Sequence, residues 1–218
     1  RTLMQYLQQS EQTLAFMRLL VVGSDAFYVQ EYQQLQQLCA ADTRVINSYG
    51  VSEATIDSSY FEATFETVSK TTALNLPEVL TSEGMVPIGR PFNNTQMWVL
   101  DDQMQLVPVG VAGELYIGGR GISRGYLNRP DLTQERFVEA TDEFPRLYKT
   151  GDRARYLSDG NLEYLGRGDS QIKLRGFRIE LGEIEATLAK HPAIWQGVVV
   201  VRQDRGLKRL IAYVVCEP

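Results

Sequence analysis

The sequence predicts an α/β protein followed by a small α+β unit, and three observations support this fold class. The first part of the chain alternates helical periodicity with short buried strands, which is typical of a parallel sheet with helical crossovers. After about Gly84 the sequence pattern changes to short strands separated by Gly, Pro, Asn and Asp. The segment 166–185 then passes from a strand-like alternation to a helical period, as at a joint between two bodies.

The N-terminal elements are predicted to be a helix, a strand and a second helix within residues 1–41. Apolar residues at helical spacing precede a brief buried strand at 20–22. The chain then turns, and Ser24 or Asp25 is expected to cap a helix that reaches Cys39.

A second buried strand at 45–46 ends at Asn47. Strands that alternate with helices favour a parallel sheet, and ligands bind beyond the carboxyl ends of such strands. The sequence therefore predicts a ligand site at the turn 23–25 and at the segment 47–52.

The middle of the chain is predicted to form short antiparallel strands. The run Ser158-Asp159-Gly160 is a strong hairpin turn signal between the last two of them. The four predicted strands are residues 96–100, 114–117, 153–157 and 161–165.

A separate small unit is predicted beyond Asp169, in the order strand, turn, helix, strand, strand. The helix is expected at 181–190, with acidic residues in its first turns, where negative charge suits the helix dipole. The two last strands are expected at 197–201 and 210–215.

The charge balance and the apolar content of the sequence argue against two classes of partner, nucleic acids and membranes. The 218 residues carry 22 Lys plus Arg against 27 Asp plus Glu, and this mildly negative balance argues against nucleic acid. No apolar run approaches the length of a membrane span, so we expect no membrane partner. Cys39 and Cys216 lie far apart without metal-like spacing, which is typical of unpaired thiols in a reducing cytoplasm.

Polar residues and a glycine follow the second buried strand in the run NSYGVSEAT, residues 47–55. Ser52 offers a hydroxyl for a phosphate, and Glu53 offers a hard oxygen for Mg²⁺. Tyr49 supplies a flat face on which a base can stack. An ordinary polar connection between a strand and a helix is the alternative, and this segment alone does not decide between them.

Three further segments carry glycine beside charge. The glycine-rich run at 113–127 is better explained by packing and turns than by a nucleotide loop, because it follows a strand without clearly opening a helix. In YKTGD, at 148–152, the carboxylate of Asp152 is suited to two ribose hydroxyls, although a turn-forming aspartate is equally consistent. In the block 166–185, Arg167 would place a fixed cation near the same ribose and phosphate.

Together these motifs resemble the adenylate-forming superfamily, specifically the amino-acid adenylation domains of non-ribosomal peptide synthetases. The runs NSYGVSEAT, GELYIGGRGISRGYL, YKTGD and GRGDSQIKLRGFRIELGEIE occur in the family's order, and the RIELGEIE ending favours peptide synthetases over acyl-CoA ligases or luciferases. The resemblance implies that residues 1–168 form the C-terminal portion of the large core, with mixed sheets, helices and a small β-barrel-like region. Residues 169–218 would then start an incomplete, mobile α+β subdomain.

The activity implied by this resemblance is that of an ATP-dependent, AMP-forming amino-acid ligase. Such domains make an aminoacyl-adenylate and pyrophosphate, then pass the acyl group to the phosphopantetheine thiol of a carrier protein. ATP and Mg²⁺ would be the cofactors, and the partners would be the carrier domain, neighbouring synthetase domains and the remainder of the adenylation domain. The family's phosphate loop and catalytic lysine are expected outside residues 1–218. An acyl or aryl ligase of the superfamily and a non-catalytic interaction module are the alternatives.

By the same resemblance, Asn47 would recognise the adenine amino edge, and Tyr49 would stack on the ring. Ser52 would contact phosphate, and Asp152 would hold the ribose hydroxyls with Arg167 close by. The implied nucleotide-binding residues are Asn47, Tyr49, Gly50, Ser52, Asp152 and Arg167.

Two catalytic features complete the resemblance. Glu53 would bind Mg²⁺ and would act in adenylation together with Ser52. Asp169 would be the hinge on which the small subdomain turns, a closure of large amplitude. After that turn the loop 170–176 would enter the site and help to form the pantetheine channel.

The substrate pocket of the family would be lined partly by five positions of this chain. A carboxylate in an apolar pocket is costly unless it meets a cation or a strong donor. Asp57 therefore predicts a long side chain that ends in a donor, with arginine or lysine ahead of tyrosine. A hydrated Asp57 at the pocket edge, which selects nothing, is the alternative. The five positions are Leu20, Val22, Ser48, Ile56 and Asp57.

Overall fold

A computed structural model describes most of the chain, and this description covers residues 2–23, 25–63, 84–138, 146–169, 171–174, 177–204 and 207–216. The chain divides into two compact units, Arg1–Gly166 and Arg167–Pro218. The hinge at Asp169, and the boundary drawn there, stay predictions.

The first unit opens with the predicted helix–strand alternation. The first two strands, β1 (Leu19–Val22) and β2 (Arg44–Tyr49), pair in parallel, with Leu20 opposite Val45 and Val22 opposite Asn47. The helix between them is therefore a crossover. Two further strands join antiparallel, which gives one sheet of order β1-β2-β3-β4. The elements are α1 (Thr2–Gln9), β1 (Leu19–Val22), α2 (Val29–Leu38), β2 (Arg44–Tyr49), a 3-10 turn (Ser52–Ala54), β3 (Ser59–Glu62) and β4 (Arg90–Pro91).

Helix α2 begins later than predicted. Its N-cap is Tyr28, whose backbone N–H donates to Oε2 of Glu31 at 3.1 Å, so the side chain at the third helical position satisfies an N-terminal amide. Asp25 instead accepts from the N–H of Ala26 at 2.8 Å and is not the N-cap. Ser24 lies outside the described residues.

The rest of the first unit is an antiparallel sheet of order β5-β6-β8-β7, with β9 paired to β8. The turn at Asp159 and Gly160 joins β8 to β9, as predicted, and the Asp159 carboxylate accepts from the Asn161 N–H at 2.9 Å. The elements are β5 (Thr95–Leu100), β6 (Gly113–Gly119), α3 (Pro130–Arg136), β7 (Phe137–Val138), β8 (Leu147–Tyr156) and β9 (Leu162–Arg167).

Two of the three buried clusters found among the described residues hold these sheets together. One packs α1 and α2 against the first sheet around Tyr32 and Phe61. The other lies on the antiparallel sheet around Leu115 and also contains Tyr49, from the end of β2. Burying each such large side chain stabilises the fold by roughly 2 kcal/mol. The second cluster therefore ties the 47–55 motif to the antiparallel sheet.

The second unit is an α+β arrangement, as predicted. In sequence, one helix lies between its two antiparallel strand pairs, and the N–H of Val199 in the strand after the helix donates to Oε1 of Glu185 in the helix at 2.8 Å. Val199 itself is buried, so the helix packs on this strand. The elements are β10 (Gln171–Leu174), β11 (Phe177–Glu180), α4 (Leu181–Leu188), β12 (Ile194–Asp204) and β13 (Leu207–Cys216).

None of the helices in the described ranges combines the length and the apolar character that crossing a membrane requires.

Candidate functional site

A bulge in β8 directs Asp152 into the interior. Thr150, Gly151 and Asp152 lie opposite the single residue Leu115 of β6. Gly151 has φ of 74°, a left-handed conformation that glycine adopts at no steric cost. The Thr150 hydroxyl donates to the Leu115 carbonyl at 2.6 Å and accepts from the Asp152 N–H at 3.0 Å. The extra residues turn the strand, and the Asp152 side chain is only 1% exposed.

Tyr49 and Asp152 form a buried hydrogen-bonded pair. The Tyr49 hydroxyl donates to Oδ2 of Asp152, across 103 positions of sequence. Burial, and then the negative charge of Asp152, raise the pKa of Tyr49 well above its usual value. The ring of Tyr164 in β9 lies 6.3 Å from that of Tyr49, centroid to centroid. The structure therefore brings together the 47–55 and 148–152 motifs, and it adds Tyr164, which the motifs did not single out.

Glu53 is held by two tyrosine hydroxyls. Its Oε1 accepts from Tyr126 at 2.5 Å and from Tyr148 at 2.8 Å, and the two hydroxyl oxygens are 3.4 Å apart. Burial, followed by the hydrogen bond to Glu53, raises the pKa of Tyr126. Neither tyrosine was predicted as a site residue. Both lie inside motifs that were singled out, the 113–127 and 148–152 runs, which was the available signal.

The loop after β2 closes on itself. A Cβ at Gly50 would lie 1.8 Å from the Ile56 carbonyl oxygen, so only glycine fits there. The Ser58 N–H donates to the Tyr49 carbonyl at 2.7 Å. Thr55 and Ile56 have φ of 60° and 71°, and such a conformation is strained for β-branched residues. This places Ile56 and Asp57 on the exposed side of the loop.

Asn47 and Ser48, at the end of β2, are both buried. The Asn47 side-chain nitrogen donates to the Pro87 carbonyl at 2.8 Å, which orients its amide. The Ser48 hydroxyl lies 3.4 Å from the Val22 carbonyl, to which it donates. Ser52, in contrast, is exposed at the start of the 3-10 turn.

Leu20 and Val22 are half-buried on β1. Both pack against the cluster that contains Tyr32, while Leu19 and Val21 on the other face are exposed. The role of Leu20 and Val22 as pocket walls, together with Ser48, Ile56 and Asp57, stays a prediction.

In the second unit, Arg167 holds the side chain of Asp169. Its Nε donates to Oδ1 at 2.9 Å and its Nη2 to Oδ2 at 2.6 Å, a bidentate pair. The Gln171 N–H donates to Oδ1 of Asp169 at 3.1 Å. The side chain of the predicted hinge residue is therefore held by hydrogen bonds from the residues two positions before and two positions after it.

The side chains at this site are suited to bind Mg²⁺ through one carboxylate, that of Glu53. In the described parts of the chain, no group of three or more His, Cys, Asp or Glu could hold a metal ion. Mg²⁺ needs fewer protein ligands, because it is usually bound by one or two carboxylates together with substrate phosphates. Glu53, with a carboxylate oriented by two hydroxyls, fits that role.

Comparisons with known proteins place the chain in one family. The profile described as AMP-binding enzyme matches residues 1–127. Gramicidin S synthase 2 of Brevibacillus brevis is 45% identical over 99% of this chain, which spans only 5% of that relative's length.

Two solved structures extend the likeness to the fold. The Vibrio cholerae adenylation domain AlmE, in complex with glycyl-adenosine-5'-phosphate, superposes with a TM-score of 0.79 at 28% identity, over 98% of this chain and 39% of its own. NpsA-ThdA, an artificially fused adenylation–PCP di-domain from Klebsiella oxytoca, gives 0.77 at 31% identity, over 98% and 40%. These matches confirm the predicted fold class. Because the profile covers 127 of the 218 residues, the chain belongs to the AMP-binding enzyme family.

Proposed function

We propose that this chain contributes to an amino-acid adenylation domain, which forms an aminoacyl-AMP and pyrophosphate from ATP and an amino acid. The observation that carries the proposal is the buried group of polar side chains at the end of β2, in the 3-10 turn that follows it and along β8. There Tyr49 donates to Asp152, and Glu53 accepts from Tyr126 and Tyr148. Buried carboxylates are costly, and two of them beside the carboxyl end of β2, a strand of the parallel pair, are typical of a ligand site.

The adenosine part of ATP would be bound by Asn47, Tyr49 and Asp152. Because the Asn47 nitrogen is engaged by the Pro87 carbonyl, its amide oxygen is left to accept from the adenine amino group. Tyr49 would offer its ring for stacking, with Gly50 keeping the loop close. Asp152 would accept from the ribose hydroxyls in exchange for the hydrogen bond from Tyr49.

The phosphates of ATP would be bound at the 3-10 turn. The exposed hydroxyl of Ser52 would donate to a phosphate oxygen. Glu53 would hold Mg²⁺, which when bound neutralises phosphate charge. The phosphate role of Arg167 rests on the resemblance of the 166–185 block.

The chemistry would need no covalent group from the protein. The amino-acid carboxylate attacks the α-phosphorus of ATP, the bond to the pyrophosphate oxygen breaks, and pyrophosphate leaves with the electron pair. The residues of this chain would then act by positioning the reactants and stabilising charge.

In a second half-reaction the thiol of a carrier-protein phosphopantetheine would attack the aminoacyl carbonyl. The thioester bond would form, the bond from the carbonyl carbon to the phosphate oxygen would break, and AMP and a proton would be released. The likeness to a fused adenylation–PCP di-domain supports such a partner. Asp169 would be the pivot between the two half-reactions, and the loop 170–176 would line the pantetheine channel. Of that loop, only residues 171–174 lie among the described residues.

Several partner and location assignments follow from this function. The chain would work beside neighbouring synthetase domains and the remainder of the adenylation domain, and its similarity to Gramicidin S synthase 2 points to antibiotic peptides. A cytoplasmic location agrees with the two free cysteines, Cys39 and Cys216.

The substrate would be a long amino acid with a basic or hydroxyl end. The carboxylate of Asp57 supports this choice, since it would pair with arginine or lysine, or accept from tyrosine. ATP–pyrophosphate exchange with the full-length protein across the common amino acids tests it. Arginine or lysine should give the highest rate and should lose it in Asp57→Ala, whereas a preference for small aliphatic residues would defeat this assignment.

The adenylation activity itself is tested by hydroxamate trapping with the full-length protein. Glu53→Gln and Asp152→Asn should each lower the amino-acid-dependent rate by about 100-fold, the usual cost of removing one stabilising group. Glu163→Gln is the matched control, because Glu163 is a carboxylate of the same sheet that pairs with Arg155 at 2.5 Å. Trapping only with aryl or fatty acids would instead identify an acyl or aryl ligase, and absence of ATP binding would identify an interaction module.

A further inference from the structure

The two tyrosines on Glu53 come from different elements and converge on one oxygen. Tyr148 lies in β8, and Tyr126 lies in the glycine-rich run before α3. We propose that Tyr126 and Tyr148 are positioning residues that orient the Glu53 carboxylate for a divalent cation, and that the backbone of residues 121–126 braces the turn that carries it. The inference rests on the proposed metal-binding role of Glu53.

The hydrogen bonds restrict the carboxylate to one orientation. Oε1 accepts at 2.5 Å and 2.8 Å from two hydroxyls, while Glu53 is 8% exposed and Tyr148 is fully buried. Each phenol donates one hydrogen, and a carboxylate oxygen has two lone pairs, so both donors can be satisfied at the same oxygen. Neutral donors also leave the negative charge of the carboxylate in place for a cation, which a lysine or arginine would partly cancel.

The donors themselves are held by ring packing. Phe137 packs against both of them, with its ring centroid 5.6 Å from that of Tyr126 and 5.1 Å from that of Tyr148. Phe137 is 4% exposed and belongs to the buried cluster on the antiparallel sheet. Because the rings pack against the core, their hydroxyls are held beside Glu53, as preorganisation of the carboxylate requires.

The glycine-rich run also holds the backbone of the turn. The Ser123 N–H donates to the Glu53 carbonyl at 2.8 Å, and the Thr55 hydroxyl donates to the Gly121 carbonyl at 2.7 Å. Arg146 in turn donates to the carbonyls of Ser123 and Arg124, both at 2.7 Å. The run therefore acts on the carboxylate-bearing turn and need not contact phosphate.

Partners that orient a metal-binding carboxylate usually change metal affinity by about 10- to 100-fold when they are removed. The experiment therefore measures affinity directly, with Mn²⁺ as a paramagnetic substitute for Mg²⁺. Free Mn²⁺ is titrated by electron paramagnetic resonance against the full-length protein and an ATP analogue that cannot be cleaved at the α-phosphorus. Tyr126→Phe and Tyr148→Phe should each raise the Mn²⁺ dissociation constant about tenfold.

Tyr156→Phe is the matched control, since the Tyr156 hydroxyl donates to the Met97 carbonyl at 2.8 Å in the same sheet. It removes a comparable hydrogen bond without touching Glu53, and it should leave Mn²⁺ affinity unchanged. The thermal midpoint of each variant is recorded, and if Tyr148→Phe does not fold, the half-buried Tyr126 decides the outcome alone.

Glu53→Gln separates this inference from the proposed function. If it weakens Mn²⁺ binding while the tyrosine variants do not, the positioning role is overturned and the metal-binding role stands. If Glu53→Gln itself leaves Mn²⁺ affinity unchanged, the positioning role of the two tyrosines and the metal-binding role of Glu53 are both overturned. An equal loss in Tyr156→Phe would also overturn the inference, because the effect would then be general to the sheet.

Discussion

Gly50 lies where the turn after β2 meets the backbone of residues 56 and 57. A methyl group there would lie 1.8 Å from the Ile56 oxygen and 2.7 Å from the Asp57 Cα, and backbone atoms cannot yield as a flexible side chain can. We expect Gly50→Ala to destabilise the protein by about 1–3 kcal/mol, the usual cost of overpacking. It should also lower kcat/KM for adenylation by about 100-fold, because the Ser52–Glu53 turn moves.

Gly182→Ala is the control for this prediction, because a methyl group at Gly182 meets no atom within 4 Å. Thermal unfolding and pyrophosphate exchange should show little change in that variant. If Gly50→Ala kept wild-type activity and stability, the close approach in the loop would be wrong.

At the same scale, the sequence indicated the chemistry of single residues but not their partners. Tyr49, Glu53 and Asp152 were candidates because of their motifs. The hydrogen bonds of Glu53 to Tyr126 and Tyr148 span 73 and 95 positions, and no local pattern encodes such separations. A polar residue's partner depends on how the sheets pack, which is why the two tyrosines were missed.

Among the elements, periodic segments were predicted well and irregular ones were not. Strand β5 was expected at 96–100 and forms at Thr95–Leu100. Strand β8 was expected to begin at 153 but begins at Leu147, because the bulge at 150–152 breaks the alternation that marks a strand. The start of α2 was displaced for a similar reason, since a cap made by Tyr28 and Glu31 has no strong sequence signal.

The connection between β9 and β10 is the element to which the hinge prediction belongs. Asp169 accepts there from Arg167 and from the Gln171 N–H. Proline at this position fixes φ and removes both hydrogen bonds, so rotation about the connection would be blocked. We expect Asp169→Pro to leave adenylate formation largely intact and to slow thioester formation by about 100-fold.

The two half-reactions are measured separately, by pyrophosphate exchange and by loading of labelled amino acid onto the carrier thiol. Asp169→Ala is the control, because it removes the carboxylate but leaves the backbone free to rotate. Equal loss of both half-reactions in Asp169→Pro would contradict a hinge at this residue.

For the whole molecule, the change of sequence pattern along the chain predicted the order of the structural regions. An α/β start, an antiparallel middle and an α+β end are all present. The predicted pocket walls are harder to derive, because Leu20 and Val22 lie on β1 while Ile56 and Asp57 lie on a strained loop. Their joint role depends on side chains from separate elements, and periodicity carries no information on it.

Several buried or half-buried tyrosines make the stability of the whole molecule sensitive to alkaline pH. Burial is the main cause that raises the pKa of Tyr32, Tyr49, Tyr126 and Tyr156 above the usual value of 10. Above that pH the unfolded chain releases protons that the folded protein retains. The free energy of unfolding should therefore be constant with respect to these groups below pH 10 and should fall as the pH rises beyond it.

Tyr32→Phe isolates one of these contributions. The Tyr32 hydroxyl donates to the Val45 carbonyl at 2.9 Å, so at pH 8 the variant should be less stable by about 1 kcal/mol. Phenylalanine does not ionise in the unfolded chain. The variant therefore does not lose the part of the free energy of unfolding that the wild type loses at alkaline pH through ionisation of Tyr32. Urea unfolding between pH 8 and pH 11 should show the difference from the wild type narrowing above pH 10. A difference that stays constant or widens would mean that the Tyr32 hydroxyl ionises at least as readily in the folded protein as in the unfolded chain.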